Sequence, residues 1–284
     1  MGSIRLREDQ PCDLGLSLSC GQAFRWVEEG GWWEGVVDGR VWGLCQEGNR
    51  IEYRGTTARR VREYLALDLD LPAIQAAVDR DPVIHGAIAS CPGLRLLRQD
   101  PWEILVSFIC ATNTHIPRIR QMIASLSRCF GQEITSPAGT TGYSFPLPAA
   151  LADPCRETLD CCRLGYRDRY ITETASRIAQ DPGLIHHLAT LPLEEAREGL
   201  LSLPGVGPKA ADCILLFGFH RYDAFPVDVW IRRIMHRHYL PPPPSLRAHS
   251  EKEDRRIRAF GKEYFGEWAG YAQEFLFCAR HLLL

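Results

Sequence analysis

Residues 204 to 208 read Pro-Gly-Val-Gly-Pro and separate two stretches with helical spacing, Glu194 to Ser202 and Pro208 to Phe217. Proline cannot continue a helix but suits the first helical position, and glycine reaches backbone conformations closed to other residues. The segment therefore predicts a helix-hairpin-helix over 194–219. Successive N–H groups left bare along Gly205, Val206 and Gly207 can cradle a phosphate beside a helix N-terminus. A tight helix connection in which glycine serves only geometry fits the same residues, and both readings stay open.

Lys209 takes the second position of the second helix, where the positive end of the helix dipole disfavours an ammonium. Composition sharpens the point. Of 33 basic residues 30 are arginine, and only Lys209, Lys252 and Lys262 are lysine. A lysine here hints at something arginine cannot supply, an amine able to lose its proton and attack. Cys213 lies one turn on, on the same face, and reads equally well as a small buried hydrophobe. Asp228, in AFPVDVWIRR, is placed to cap the next helix, which by itself explains it. A cap carboxylate beside an amine is also suited to stabilising a cationic sugar-like transition state and to moving protons.

Upstream, residues 14 to 55 alternate aromatic or β-branched residues with polar ones between Gly-rich turns, including Asp38-Gly39 and Glu47-Gly48-Asn49. That pattern predicts an antiparallel sheet. From about residue 57 the period becomes helical. Asp100 and Pro101 mark one helix start, and further helices are expected near 117–130, 167–180, 193–202, 208–219, 229–239, 251–265 and 268–282. Strands first and helices after describe an α+β protein, with an N-terminal sheet lobe over 1–80 and a mainly helical region over 81–284. The stretches 136–148 and Pro241 to Pro244 read as loops, the proline run as a stiff surface spacer.

Composition bounds the function. No apolar run approaches the ~18 residues of a membrane span, and the opening MGSIRLREDQPCDLGL lacks a secretory pattern. Eleven cysteines in such a chain point to a reducing compartment. Their spacing offers no zinc or iron–sulfur ligand set, and His236 and His238 have no partner cluster. Neither a metal nor a cofactor is expected. A net charge of −2 does not announce a nucleic-acid binder, but phosphate contact needs only local positive potential and aligned N–H groups.

LPGVG-x-K followed by PVD resembles the helix-hairpin-helix DNA glycosylases, with the lysine marking members that also cut the strand. CGQAFRW at 20–26, LLRQDPWEILVSFICATN at 96–113 and LGYRDRY at 164–170 narrow the resemblance to the 8-oxoguanine DNA glycosylase family. It runs from about residue 14 to 277. It implies a bifunctional glycosylase and lyase that acts as a monomer on duplex DNA carrying 8-oxoguanine opposite cytosine, in the cytoplasm or, in a eukaryote, the nucleus. Lys209 matches the family's catalytic lysine and Asp228 its capping aspartate.

The resemblance further implies that the Gly21 carbonyl accepts from N7 of the oxidised base, and that Gln273 bonds the Watson–Crick edge. Phe277 and Cys213 would sandwich the ring. Asn113 would enter the gap left by the flipped nucleotide, Tyr166 would wedge beside it, and Arg118 and Arg167 would read the orphaned cytosine. Trp230 departs from the pattern, since many members place a phosphate-contacting histidine there, and Thr114-His115 replaces an asparagine-rich run. A non-catalytic DNA clamp and a glycosylase for another oxidised purine remain the alternatives.

Overall fold

Turn chemistry lays out the N-terminal sheet in the computed structural model, which describes residues 1–136, 139–241 and 251–284. Five antiparallel strands, β1 (Gly2–Arg5), β2 (Val27–Glu29), β3 (Trp32–Val37), β4 (Arg40–Glu47) and β5 (Arg50–Arg54), lie in the order β1-β5-β4-β3-β2. Asp38 and Gly39 both take positive φ, 49° and 66°, the backbone of a two-residue turn whose twist matches its strands. Val37 accordingly pairs with Arg40, and Trp33 with Leu44. Helices dominate the chain beyond β5, so the architecture is α+β, as the change of period predicts.

The expected helices appear as Pro101–Cys110, Ile116–Phe130, Arg167–Gln180, Leu193–Leu201, Pro208–Phe217, Val229–His238, Glu251–Phe265 and Ala269–Cys278. Asp100 caps the first of these by accepting from the Glu103 N–H at 2.8 Å, with Pro101 in the first turn. The stretch expected as one helix over 268–282 breaks at Ala279 and resumes as Arg280–Leu283. No helix among the described residues is long and apolar enough to cross a membrane.

Three expectations need correction. Residues 14 to 19 are a helix, Leu14–Ser19, and not sheet: Asp13 accepts from the Leu16 N–H at 2.8 Å and so starts a helical turn that the Leu-x-Leu-x-Leu alternation disguises. The sheet's edge strand β1 lies before the expected region and pairs with β5, far from any turn that would announce it. The supposed loop over 136–148 contributes a strand, Thr141–Tyr143, to a small hairpin with Glu133–Thr135, and ends in the helix Pro148–Ala152. Arg156–Cys161 and Leu184–Thr190 are further short helices. In the proline run, Pro242 to Pro244 lie outside the described residues.

Two hydrophobic clusters form the interior. The smaller gathers Ile4, Leu14, Leu18, Trp26, Trp42, Ile51, Val61 and Leu97 under the sheet, and the Trp26 indole N–H donates to the Tyr64 hydroxyl at 2.7 Å inside it. The larger spans the helices and also takes Cys20 and Phe24, so the clusters interleave along the sequence. A polar seam joins them. The buried amide of Gln22 donates to the carbonyls of Ser17 (2.9 Å) and Arg95 (2.8 Å) and accepts from the Leu97 N–H at 2.8 Å. Arg95, also fully buried, donates to the carbonyls of Pro11, Ala66 and Leu69.

On the helical side, Asp212 is 1 % exposed and is held between Arg197 (2.9 Å) and Arg258 (2.6 Å). This carboxylate ties Pro208–Phe217 to Leu193–Leu201 and to Glu251–Phe265. Removing one charge from such a group strands the other two. Asp212→Asn is therefore expected to lower unfolding stability by about 3 kcal/mol, measured by urea denaturation, and Asp212→Glu to lower it less.

Candidate active site

The hairpin meets five other segments around a cleft of about 910 Å³. Its walls are the loop at Gly21, the 111–116 loop after Pro101–Cys110, the starts of the Pro208–Phe217, Val229–His238 and Glu251–Phe265 helices, and the end of Ala269–Cys278.

The two hairpin glycines do different things. Gly205 has φ of +80°, and a Cβ there would lie 2.6 Å from the Tyr170 Cβ, so both backbone shape and close approach demand glycine. Gly207 has φ −90° and ψ 176°, which any residue adopts, and a Cβ there would meet nothing within 4 Å. It is also the N-cap of Pro208–Phe217, with no side-chain cap bond. A serine would ordinarily serve better at that position. With glycine, the first-turn N–H groups stay open to the cleft, which is what an anion at a helix N-terminus requires. Val206 between them is buried and, contrary to expectation, its N–H is not bare: it donates to the Leu203 carbonyl at 3.2 Å.

Lys209 and Asp228 both line this cleft. The Lys209 nitrogen rests 4.7 Å from the centre of the Phe108 ring. Among the described residues it enters no ion pair, whereas Lys262 pairs with Glu194 at 3.3 Å. Asp228 caps Val229–His238, its Oδ1 accepting from the N–H groups of Trp230 (2.9 Å) and Ile231 (2.8 Å). These bonds use one oxygen and fix the carboxylate at the positive end of the helix. The amine and the carboxylate thus face one cavity from two separate helix starts.

Gly21 and Phe277 line the same cleft. Gly21 has φ of +112°, and a Cβ added to it would come within 3.3 Å of Ile116 and 3.7 Å of Phe277. Arg280 lies over the Phe277 ring at 4.3 Å and donates to the Phe277 carbonyl at 2.7 Å. Cys213 and Gln273 are not on the wall. Each is 3 % exposed, beneath the cleft surface. Burial pushes the Cys213 thiol up to about 12, so it is neutral, and the Gln273 Oε1 is buried without a hydrogen-bond partner.

Asn113 is exposed on the cleft, in the left-handed region at φ 51°. Its neighbour Thr112 supplies a carbonyl that accepts from both the Tyr166 hydroxyl (3.3 Å) and the Arg167 guanidinium. Tyr166 is half exposed and meets Tyr170 edge to face at 6.2 Å. Arg167 is largely buried, stacks on Tyr166 at 4.6 Å and also donates to the Leu164 carbonyl at 3.3 Å. Arg118 donates to the Arg163 carbonyl at 2.6 Å. The four residues are brought together beside the cleft, with both guanidiniums bonded to main-chain carbonyls. Trp230 lines the cleft beneath the guanidinium of Arg233, 5.2 Å from its ring.

Sequence reasoning passed over Phe108, which cradles the lysine, Arg280, which covers Phe277, and Glu274, a fully buried carboxyl beside Gln273. Only Glu274 left a visible signal, as the single charge in the apolar run AGYAQEFLFC.

Comparison with known proteins finds relatives along the whole chain. Residues 3–105 match the model of the 8-oxoguanine DNA glycosylase N-terminal domain, and residues 106–258 that of the HhH-GPD superfamily of base excision DNA repair proteins. The chain is 32% identical to the N-glycosylase/DNA lyase OGG1 of Arabidopsis thaliana over 281 residues, covering 94% of this chain and 76% of that protein. It is 38% identical to a probable N-glycosylase/DNA lyase of Methanothermobacter thermautotrophicus over 217 residues, 69% and 66% of the two chains. Its structure superposes with a TM-score of 0.88 on the 8-oxoguanine glycosylase/lyase of Clostridium acetobutylicum in complex with double-stranded DNA containing cytosine opposite 8-oxoguanine. That match has 31% identity and covers 100% of this chain and 99% of the other.

The hairpin glycines are separable by thermal denaturation. Gly205→Ala is expected to cost about 1–3 kcal/mol through enforced strain, whereas Gly207→Ser should leave the melting temperature unchanged or raised.

Proposed function

The chain belongs to the 8-oxoguanine DNA glycosylase family of helix-hairpin-helix base excision repair proteins, and from that premise we propose that it excises 8-oxoguanine from duplex DNA and cuts the strand through a Schiff base on Lys209. The observation that carries the reading is the shared cleft: an amine in no ion pair among the described residues and a helix-capping carboxylate line it together with Gly21 and Phe277.

The hairpin holds a DNA phosphate on the open N–H groups at Gly207, and the target nucleotide is extruded into the cleft. Tyr166 wedges the duplex and Asn113 occupies the gap. The base enters between Phe277 and Cys213. The Gly21 carbonyl accepts the N7 hydrogen that guanine lacks, and the unpartnered Oε1 of Gln273 accepts from the Watson–Crick edge. A base without the N7 hydrogen leaves a buried carbonyl unpaired, which costs about 1–3 kcal/mol. Arg118 and Arg167 exchange their carbonyl partners for the acceptor edge of the orphaned cytosine.

In the chemical step the neutral Lys209 amine attacks C1′ of the deoxyribose. The C1′–N9 bond breaks, its electron pair leaves with the base, and the base takes up a proton. Asp228 stabilises the positive charge on the sugar. The bound nitrogen loses a proton, the C1′–O4′ bond breaks with its electron pair going to O4′, which takes up a proton, and the imine results. Loss of a C2′ proton then breaks the C3′–O3′ bond, the 3′ phosphate leaves with that electron pair, and the strand is cut.

Borohydride is expected to trap wild-type protein on 8-oxoguanine duplex as a covalent adduct. Lys209→Gln and Lys209→Arg should both abolish the adduct and lower base release by at least about 10³-fold, while still binding the duplex. Wild-type protein that neither traps nor excises, with duplex binding preserved in Lys209→Arg, would instead mark Lys209 as a phosphate contact in a clamp. Excision opposite cytosine should exceed that opposite adenine by about tenfold or more if the two guanidiniums read the orphaned base; Arg118→Ala together with Arg167→Ala should remove the preference. Equal rates opposite all four bases would contradict that assignment.

A further inference from the structure

An everted nucleotide carries phosphodiester charge into a cleft whose walls, among the described residues, already hold three carboxylates, Asp228, Glu251 and Asp254. Like charge repels the strand unless a cation answers it. The lysine and arginine side chains on the same walls are Lys209, Arg232 and Arg280. Two of them are committed. Arg232 grips Asp254 with two bonds, from Nε to Oδ1 and from Nη2 to Oδ2, each at 2.8 Å, and Lys209 can attack a sugar only as the uncharged amine. That leaves Arg280.

Arg280 lies one turn past Phe277 and is half-buried. Its Nη1 donates to the Phe277 carbonyl at 2.7 Å, and its guanidinium lies 4.3 Å from the centre of the Phe277 ring. The bond fixes one end of the group and the ring supports its face, so its position is set before a ligand arrives and little side-chain freedom is lost on binding. Among the described residues no carboxylate neutralises it: Asp254 takes Arg232, and Glu251 takes Arg255 at 3.1 Å. The Nε and Nη2 of Arg280 neither bond to a described residue nor are buried. Those two nitrogens form the edge of a guanidinium that fits two oxygens of a phosphate side by side.

We propose that Arg280 is a phosphate-binding residue of the cleft, its Nε and Nη2 edge gripping a phosphodiester of the everted nucleotide while its face stays on Phe277. The inference rests on the function proposed for the cleft. The base enters beside Phe277, and its phosphate closes on the guanidinium anchored there. The strand is thereby held at a second element besides the hairpin, and this contact forms only after the nucleotide has left the stack. A second hold helps keep C1′ within reach of the Lys209 amine.

The test is the salt dependence of equilibrium binding to 8-oxoguanine duplex and to undamaged duplex, measured in a Lys209→Gln parent that does not turn over. Each phosphate contact contributes about −0.9 to the slope of log K against log salt. Arg280→Gln and Arg280→Met, the second keeping an unbranched side chain to pack on Phe277, should each make the slope on lesion duplex shallower by about 0.9, so that a loss of about tenfold at about 50 mM salt shrinks to about threefold at about 200 mM. Arg280→Lys keeps the charge and should keep the slope. On undamaged duplex, where the nucleotide stays outside the cleft, all three variants should match the parent. If Arg280 only props Phe277, lesion binding weakens by the same factor at every salt concentration; that outcome, or an equal change of slope on undamaged duplex, would overturn the proposal. A parent that binds both duplexes alike would defeat the functional reading, whereas a preserved lesion preference with an unchanged slope defeats this inference alone.

Discussion

The amide of Gln22 holds the two halves of the site in register. It sits between the two hydrophobic clusters, donating to Ser17 and Arg95 and accepting from Leu97. With neighbours on both sides of the seam, it braces the turn at Gly21, one residue away. Each of these bonds is buried, so breaking one leaves a polar group without water, at about 1–3 kcal/mol. Arg95 repeats the device with three main-chain carbonyls.

Local chemistry made much of this legible. Proline and glycine around residue 206 announced the hairpin, Asp100 and Asp228 announced helix starts, and the switch from strand to helix spacing gave the class. What failed was local patterning that two structures share. Leu14, Leu16 and Leu18 alternate like a strand, yet the Asp13 cap turns them into a helix. β1 carried no signal because its partner lies some fifty residues away and no turn joins them. In the site, Lys209, Asp228, Gly21 and Phe277 come to one cavity, while Cys213 and Gln273 lie beneath it. Spacing along a helix names the face a residue occupies, but not whether a neighbouring ring covers it, and Phe277 lies close to the surface there.

Position 207 shows how the open reading of the hairpin narrows. Neither φ nor crowding requires glycine, so geometry alone accounts for Gly205 and not for Gly207. Asp212, buried between two guanidiniums, braces the helices around the hairpin.

The scarcity of lysine has a chemical consequence of its own. An aldehydic sugar is an indiscriminate electrophile that condenses with whatever primary amine it meets. Here the side-chain competitors number two, Lys252 and Lys262, and the second is engaged by Glu194. Arginine supplies the rest of the positive surface and forms no comparable imine under mild conditions. Under the proposed function, a chain so written would offer an abasic strand few crosslinking partners besides the amine resting on Phe108.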